Sequence, residues 1–316
     1  DELLLSRKAK IGPTKFDLHY RLDCTLSDVG KYPLRLADLL VFDVDSEVFP
    51  AKVIWANGEE YRGMPSAGMS GDKIYRPMHI ATDYTPYQET CVFVDPSGRG
   101  NDETAVCVAS LANGYIVIHE LFGLDGGYDE ATLEKISKVA LRFNATSIKV
   151  ESNFGDGAVA ALLRPVATRV CGPIAVDEYR VHGMKEERML SNLEPVMAGH
   201  RLVFNARAIR DEETQKQITR LTNLRGALKH DDRVDVLSAA CEHWKPYIQI
   251  DVDMMADRNL RKAQDDYVKM WEDDTRRGQL ISESRGGSGT SRVTNLYNST
   301  QGGGKPPRKT IFGKRF

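Results

Sequence analysis

Three acidic positions, far apart in the chain, each stand at the mouth of an expected structural element. Asp95 ends the apolar run Cys91-Val92-Phe93-Val94, and Glu151 ends Ser147-Ile148-Lys149-Val150. The pair Asp231-Asp232, with Asp235 one turn later, opens the amphipathic stretch 233–244. A carboxylate at the end of a buried strand is costly, because desolvation penalises the charge and like charges nearby repel. A fold that gathers these carboxylates calls for divalent cations to neutralise them, which points to metal-dependent phosphodiester chemistry. Each acid also has a plain structural use. Asp95 before Pro96 can form a turn, Asp231 or Asp232 can cap a helix, and Asp235 suits a first helical turn through the helix dipole. Glu151, before Ser152-Asn153, fits such a use less well, because glutamate is a poor turn residue.

The order of elements gives the acids a meeting place. Strands are expected at 91–95, 104–111 and 115–122, the last two joined by a tight Asn113-Gly114 turn into an antiparallel meander. Leu133, Ile136, Val139, Ala140 and Phe143 recur at helical spacing within 128–143. A strand at 147–151 follows, then a helix that opens at Asp156-Gly157, runs to Leu163 and is ended by Pro165. Next come a strand at 174–181, a helix at 185–197, a short strand at 201–204, and helices at 212–224 and 231–244. Three antiparallel strands, then helix, strand, helix and strand, make an α/β order with a mixed sheet flanked by helices. That order matches the ribonuclease H-like fold. Its first and fourth strands are neighbours, so Asp95 and Glu151 would project from adjacent carboxyl ends, with the start of the 231–244 helix packed across them.

Hard oxygen ligands of this kind suit Mg2+ or Mn2+ rather than a soft metal. Two such ions, ~3.5–4 Å apart, activate a water and stabilise the leaving 3′ oxygen of an in-line displacement without a general-base side chain. His230, just before the acidic pair, either assists a proton transfer or caps the helix.

The flanking regions carry less chemistry. Residues 1–88 read as an approach segment: 36–44 is a strand or short helix, 51–55 a strand entering an Asn57-Gly58 hairpin turn, and 63–78 an irregular loop. A charged helical extension is expected over 251–281. From Ser282 the composition shifts to Gly, Ser, Thr, Asn and Pro, too polar to offset its ordering entropy, and every charged side chain from Arg285 onward is positive. Residues 282–316 are therefore expected to be a disordered basic tail, either solubilising or docking on a partner. The nuclease-like domain would span 89–250.

Composition sets outer bounds. A net charge of -2 does not mark a nucleic-acid binder, so any such contact has to be local and basic. The cysteines Cys24, Cys91, Cys107, Cys171 and Cys241 are odd in number and lack CxxC spacing, which reads as free thiols in a reducing cytoplasm rather than disulfides or a zinc site. No apolar run approaches the ~18–20 residues that span a bilayer, so no membrane partner is expected.

Three motifs in order resemble the nuclease signature of tailed-phage terminase large subunits, the short-tailed coliphage type above all. The first is Val92-Phe93-Val94-Asp95-Pro96-Ser97-Gly98-Arg99-Gly100-Asn101-Asp102-Glu103-Thr104, and the second is Val150-Glu151-Ser152-Asn153-Phe154-Gly155-Asp156-Gly157. The third is His230-Asp231-Asp232-Arg233-Val234-Asp235-Val236-Leu237. Upstream, Phe16-Asp17-Leu18-His19-Tyr20 and Tyr32-Pro33-Leu34 are similar to the segment that joins the ATPase and nuclease domains of that family. The resemblance implies an endonuclease that cuts concatemeric viral DNA as the genome is packaged into the procapsid. It implies Asp95, Glu151 and Asp232 as catalytic metal ligands for two Mg2+ or Mn2+ ions. Asp235 is a further metal ligand, and Asp231 or Asp235 can take the third corner. Asp102, Asp156 and His230 would support the site from beside it.

Candidate phosphate contacts are Arg99, Lys149, Lys185, Arg188 and Arg201. Implied partners are double-stranded DNA, the small terminase subunit, and the portal or procapsid through the basic tail, all in the host bacterial cytoplasm. No GxxxxGK[ST] phosphate loop occurs and the chain lacks an initial Met, so it is expected to be the carboxyl-terminal nuclease part of a longer motor. By itself it would neither hydrolyse ATP nor translocate DNA. The alternatives are a Holliday-junction resolvase or transposase of the same fold, and a non-catalytic portal-docking module.

Overall fold

The computed structural model describes residues 2–12, 16, 31–69, 71–97, 103–153 and 157–248, together with 261, 265, 266 and 268–270. The chain divides into two compact units, residues 1–256 and 257–316. In the second unit the described residues, among them Asp265, Asp266, Lys269 and Met270, are helical and exposed. The expected basic tail lies outside the described residues, as do Arg99, Asp102 and Asp156.

The first unit is built on a seven-stranded mixed sheet. Its centre is the meander of β6 (Glu89–Asp95), β7 (Thr104–Ala112) and β8 (Tyr115–Leu124). Asn113 and Gly114 both adopt positive φ (51° and 79°), the backbone that a two-residue type I′ hairpin requires. The Asn113 side chain also donates to Thr85 Oγ1 at 3.0 Å, which ties the turn to the layer beneath. Every residue of β7 is buried, because helices cover both of its faces, so it reads as an unbroken apolar run rather than an alternation.

Parallel strands extend the meander on both sides. β9 (Ser147–Glu151) pairs with β6, and β10 (Ala175–Tyr179) with β9. On the other side β11 (Leu202–Asn205) pairs with β8, and β1 (Leu40–Phe42) with β11. Residues from within the 1–88 approach segment therefore supply an edge strand of the same sheet. The remaining short strands form two ribbons, β2 (Val48–Pro50) with β5 (Tyr84–Pro86) and β3 (Val53–Ile54) with β4 (His79–Ile80).

The described helices of this unit are α1 (Glu2–Ile11), α2 (Glu130–Arg142), α3 (Ala158–Cys171), α4 (Lys185–Ala198), α5 (Glu212–Arg220) and α6 (Asp232–Trp244). Strand alternation sorts the core into two layers. Val92, Val94, Val106, Val108, Ile148 and Val150 pack with Leu133, Ile136, Val159 and Leu163 of α2 and α3. Cys91, Phe93, Ala105, Cys107 and Ala109 face Met189, Leu193, Val234, Leu237 and Trp244 of α4 and α6. Asp129 caps α2 by accepting from the Thr132 N–H at 2.7 Å, and Asp211 caps α5 in the same way from Thr214 at 2.6 Å. Among the described residues no helix is long and apolar enough to cross a membrane.

The mixed sheet flanked by helices is the one that the element order predicts. Three local expectations change. Pro165 does not end its helix: α3 continues to Cys171, because Val159, Leu163 and Ala167 keep one apolar face against the sheet past the proline. That burial offsets a proline cost of about 3 kcal/mol. Asn57-Gly58 makes no hairpin. Gly58 has an ordinary φ of -68° and leads into a 3-10 turn, while β3 finds its partner in the distant β4. Finally, α5 stops at Arg220 rather than near 224, where Leu221 turns to extended backbone and buries its side chain.

Candidate active site

Val94 of β6 and Val150 of β9 are register partners in a parallel pair, so the next residues, Asp95 and Glu151, emerge side by side at the carboxyl ends. Alternation sends both toward the face that α4 and α6 cover, with Phe93 and Lys149. α6 begins opposite them and presents Asp235, only 4% exposed, from its first turn. One carboxylate oxygen from each of Asp95, Glu151 and Asp235 lies within 4.8 Å of the others.

A scaffold away from the acids fixes the start of α6. Gln217 Oε1 of α5 accepts from the backbone N–H groups of Arg233 and Val234, both at 3.2 Å. Arg233 grips the Glu103 carboxylate with Nε and Nη2 (2.5 and 2.9 Å) and Asp211 with Nη1. The Asp231 side chain, relieved of capping, makes no cap hydrogen bond and pairs with Lys185 Nζ at 2.8 Å instead.

Two cations from α4 enter the site from one face, being three residues apart. Lys185 Nζ also lies 3.1 Å from Asp235 Oδ2, and Arg188 Nη2 lies 2.7 Å from Asp235 Oδ1. The Arg188 side chain is 9% exposed, and its Nη1 is buried with no hydrogen-bond partner.

Asp95 is held well above the usual carboxylate range, first by burial and then by Glu151, Asp235 and Asp232, against which Lys185 acts. Glu151 is raised by burial and by Asp235, opposed by Arg188 and Lys185. For Lys185, burial works against the charge, but Asp235 and Asp231 outweigh it and hold the ammonium above the ordinary lysine value. Tyr179, the register partner of Glu151 on β10, has its hydroxyl pushed far up by burial and then by Asp95, Glu151 and Asp235. That hydroxyl is buried without a hydrogen-bond partner. Charge concentrated this far beyond what its own cations balance, all on oxygen donors, is the donor set of a hard divalent cation.

Of the residues expected at the site, the structure brings together Asp95, Glu151 and Asp235, with Asp231 joined to them through Lys185. Asp232 is near enough to raise Asp95 but is not one of the three whose oxygens converge. Lys185 and Arg188 meet carboxylates here. Lys149 points to the same side as Glu151 and lies 3.4 Å from Asp177. His230 is half-buried just before α6. Arg201 does not join the site. Its carbonyl bonds Ile116, which pairs through Leu111 with Glu89, the opposite end of β6. There its guanidinium lies over Tyr115 and lines a cavity of about 450 Å³ between α1 and α4. Sequence reasoning missed Tyr179 and the Glu103–Arg233 clasp. Tyr179 lay inside the strand expected at 174–181, and only the observed end of β10 at Tyr179 marks it as a strand-end group like the acids.

Comparison with known proteins bears on the family rather than on the individual site residues. The family described as terminase of bacteriophage T7, ribonuclease H-like domain, matches residues 94–202, a span that holds Asp95 and Glu151 but stops before α6. The chain is 35% identical over 267 residues to the terminase large subunit of Enterobacteria phage T3, covering 79% of this chain and 45% of that protein. It thus spans less than half the length of that relative. Among solved structures it is similar to the large terminase nuclease of thermophilic phage G20c (15% identity, TM-score 0.40, 66% of this chain and 95% of that one). It is also similar to the human cytomegalovirus terminase nuclease domain, soaked with Mn and bound to an inhibitor (16% identity, TM-score 0.39, 54% and 86%). From the strand order, the matched span and the phage relative together, the chain contains the ribonuclease H-like nuclease domain of a phage terminase large subunit.

Proposed function

We propose that this chain is a metal-dependent endonuclease that cuts concatemeric double-stranded viral DNA during genome packaging. The observation that carries the reading is the convergence of Asp95, Glu151 and Asp235 within 4.8 Å. Their mutual repulsion and burial make the trio costly unless divalent cations join it. Asp95, Glu151 and Asp235 would hold the ions, with Asp232 and Asp231 beside them. The chemistry that Mg2+ or Mn2+, as a pair, supplies at such a centre is activation of a nucleophilic water and neutralisation of the leaving oxygen of a phosphodiester.

The side chains divide the remaining work. Arg188, almost fully buried, holds Asp235 in place and offsets part of the negative field. Lys185 is 40% exposed, so it can exchange a carboxylate for a DNA phosphate oxygen, whereas Arg188 cannot reach the surface without unpacking. The Tyr179 hydroxyl donates to a ligand oxygen or an attacking water. In this reading the nuclease unit takes in β1 as well as 89–250. Arg99, Asp102, Asp156 and His230 remain proposed contacts around it, and the small subunit and a portal engaged by 282–316 are its proposed partners. The relationship to a phage packaging protein favours this role over a junction resolvase.

The test is nicking of supercoiled plasmid in Mg2+ or Mn2+. Wild type should relax and linearise the plasmid, and Asp95→Ala, Glu151→Ala and Asp235→Ala should not, while each retains its fold by circular dichroism. Wild-type cutting by these variants would refute the assignment.

A further inference from the structure

A second cluster of ligand-type side chains lies on the same face of the sheet, at the other end of β6. Glu89 and Cys91, two residues apart on the strand, project to the α6 side. There they meet His243 from the last turn of α6. One ligand atom from each of the three residues lies within 4.8 Å of the others. Sequence spacing gave no hint of this, because the histidine comes 152 positions after the cysteine and only the path of α6 brings it back.

The group is built rather than accidental. Trp244 Nε1 donates to Glu89 Oε2 at 2.7 Å and fixes the carboxylate. The imidazole packs edge-on against Phe93 at 5.6 Å and beside Trp244 at 5.2 Å, so its ring plane is set. His243 Nε2 is buried and makes no hydrogen bond, although Glu89 Oε2 is 3.4 Å away, at ion-pair distance but poorly aligned. A buried imidazole nitrogen held beside a carboxylate and a thiol, without an aligned hydrogen bond of its own, is suited to serve as a metal ligand. The Cys91 thiol is fully buried and 3.3 Å from Ser147 Oγ, whereas Glu89 and His243 are about one-third exposed and leave a path from solvent.

We propose that Glu89, Cys91 and His243 form a second metal site, selective for Zn2+ or a similar borderline cation and separate from the acidic centre. Sulfur, nitrogen and oxygen donors from three residues, with a fourth position open to water, match that class of ion. The all-oxygen trio at Asp95 matches a hard one. Around one tetrahedral zinc the ligand atoms stand roughly 3.3–3.7 Å apart, given bonds of ~2.0–2.3 Å. The cluster, whose ligand atoms all lie within 4.8 Å of one another, therefore closes on an ion by contracting at most about 1.5 Å. The bound ion would staple the end of α6 to the start of β6, and so hold the helix whose first turn carries Asp235. The site stands on its own geometry and does not depend on the nuclease reading.

Cobalt titration of the metal-free full chain tests it, because a thiolate ligand gives Co2+ a near-ultraviolet charge-transfer band that oxygen ligands do not. Wild type should show the band at one equivalent, resist displacement by excess Mg2+, and melt at higher temperature with Zn2+. Cys91→Ala should lose the band. His243→Ala, a change at a partly exposed position that should fold normally, should bind at least about tenfold more weakly. Asp95→Asn should keep both the band and the thermal shift, which separates this site from the acidic one. Absence of the band in wild type, or its survival at wild-type affinity in both Cys91→Ala and His243→Ala, would reduce the cluster to an ion pair beside a core thiol and overturn the proposal.

Discussion

Arg188 and Asp235 meet across the α4–α6 interface at 2.7 Å, and both side chains are more than nine-tenths buried. A buried ion pair of this kind is weak support for the fold while intact, but breaking it leaves an uncompensated charge in the interior. Removing Arg188 leaves Lys185, 3.1 Å from the other oxygen, as partial compensation. Arg188→Ala should therefore lower unfolding free energy by about 3 kcal/mol, the lower end of the range for broken buried pairs. Urea denaturation measures it. A loss below about 1 kcal/mol would mean that Lys185 alone satisfies Asp235.

The third acidic corner is open to a direct comparison. Asp235→Asn and Asp232→Asn change one charge each, three residues apart on one helix. Plasmid nicking should vanish in the first and survive, at a reduced rate, in the second. The reverse pattern would move the corner to Asp232.

Asp95 links catalysis to stability through pH. Its unfolded value is near 3.8 and its folded value is raised. Between the two the native state binds more protons than the unfolded state, so stability without divalent metal should fall as pH rises from about 4 through the raised value. Asp95→Asn should flatten that slope and be more stable than wild type at neutral pH in chelator. Thermal melts across pH 4–8 would show it, and a variant less stable than wild type at neutral pH would contradict it.

His119 works in the opposite direction. It occupies the extra position where β8 bulges against β7, and its Nε2 bonds Ser110 Oγ at 2.8 Å. Burial pushes its pKa from 6.5 to about 4, so the folded state keeps the ring neutral after the unfolded chain has charged it. Stability is complete above about pH 6.5 and should drop by up to about 3 kcal/mol as pH falls toward 4. His119→Gln should lose most of that dependence in the same melts.

Tyr179→Phe distinguishes a site group from a core aromatic. Its hydroxyl is buried and unpaired in the protein alone, so deleting it should leave metal-free stability unchanged or slightly higher. If the hydroxyl serves the acidic centre, Mn2+ affinity should fall by about 10–100-fold, as for other groups that orient metal ligands. Isothermal titration with unchanged Mn2+ affinity would leave Tyr179 a packing residue.

Much of the arrangement is legible in the residues. The apolar runs ending in Asp95 and Glu151 and the order of strands and helices predict which two strand ends are neighbours. The reason is that a ribonuclease H-like sheet pairs its first strand with its fourth. Less legible were Pro165, which packing carries through a helix, and the Asn57-Gly58 turn, where a distant strand competed for β3. Propensity is local, and tertiary burial decided both.

By itself the sequence determined that carboxylates end two adjacent strands and that a third acidic group opens a helix. It did not determine which acid on that helix faces inward. Position 235 lies one turn from both 231 and 232, offset by about 40° and about 60° on opposite sides, so helical spacing does not choose between them and the choice rests on the rotation of α6 about its axis. That rotation is set by Val234, Leu237 and Cys241 sinking into the core and by Gln217 and Glu103 gripping the helix start. The same packing carries His243 back to Glu89 and Cys91. Only contacts between residues far apart in sequence fix a helix in rotation, and here they decide both clusters.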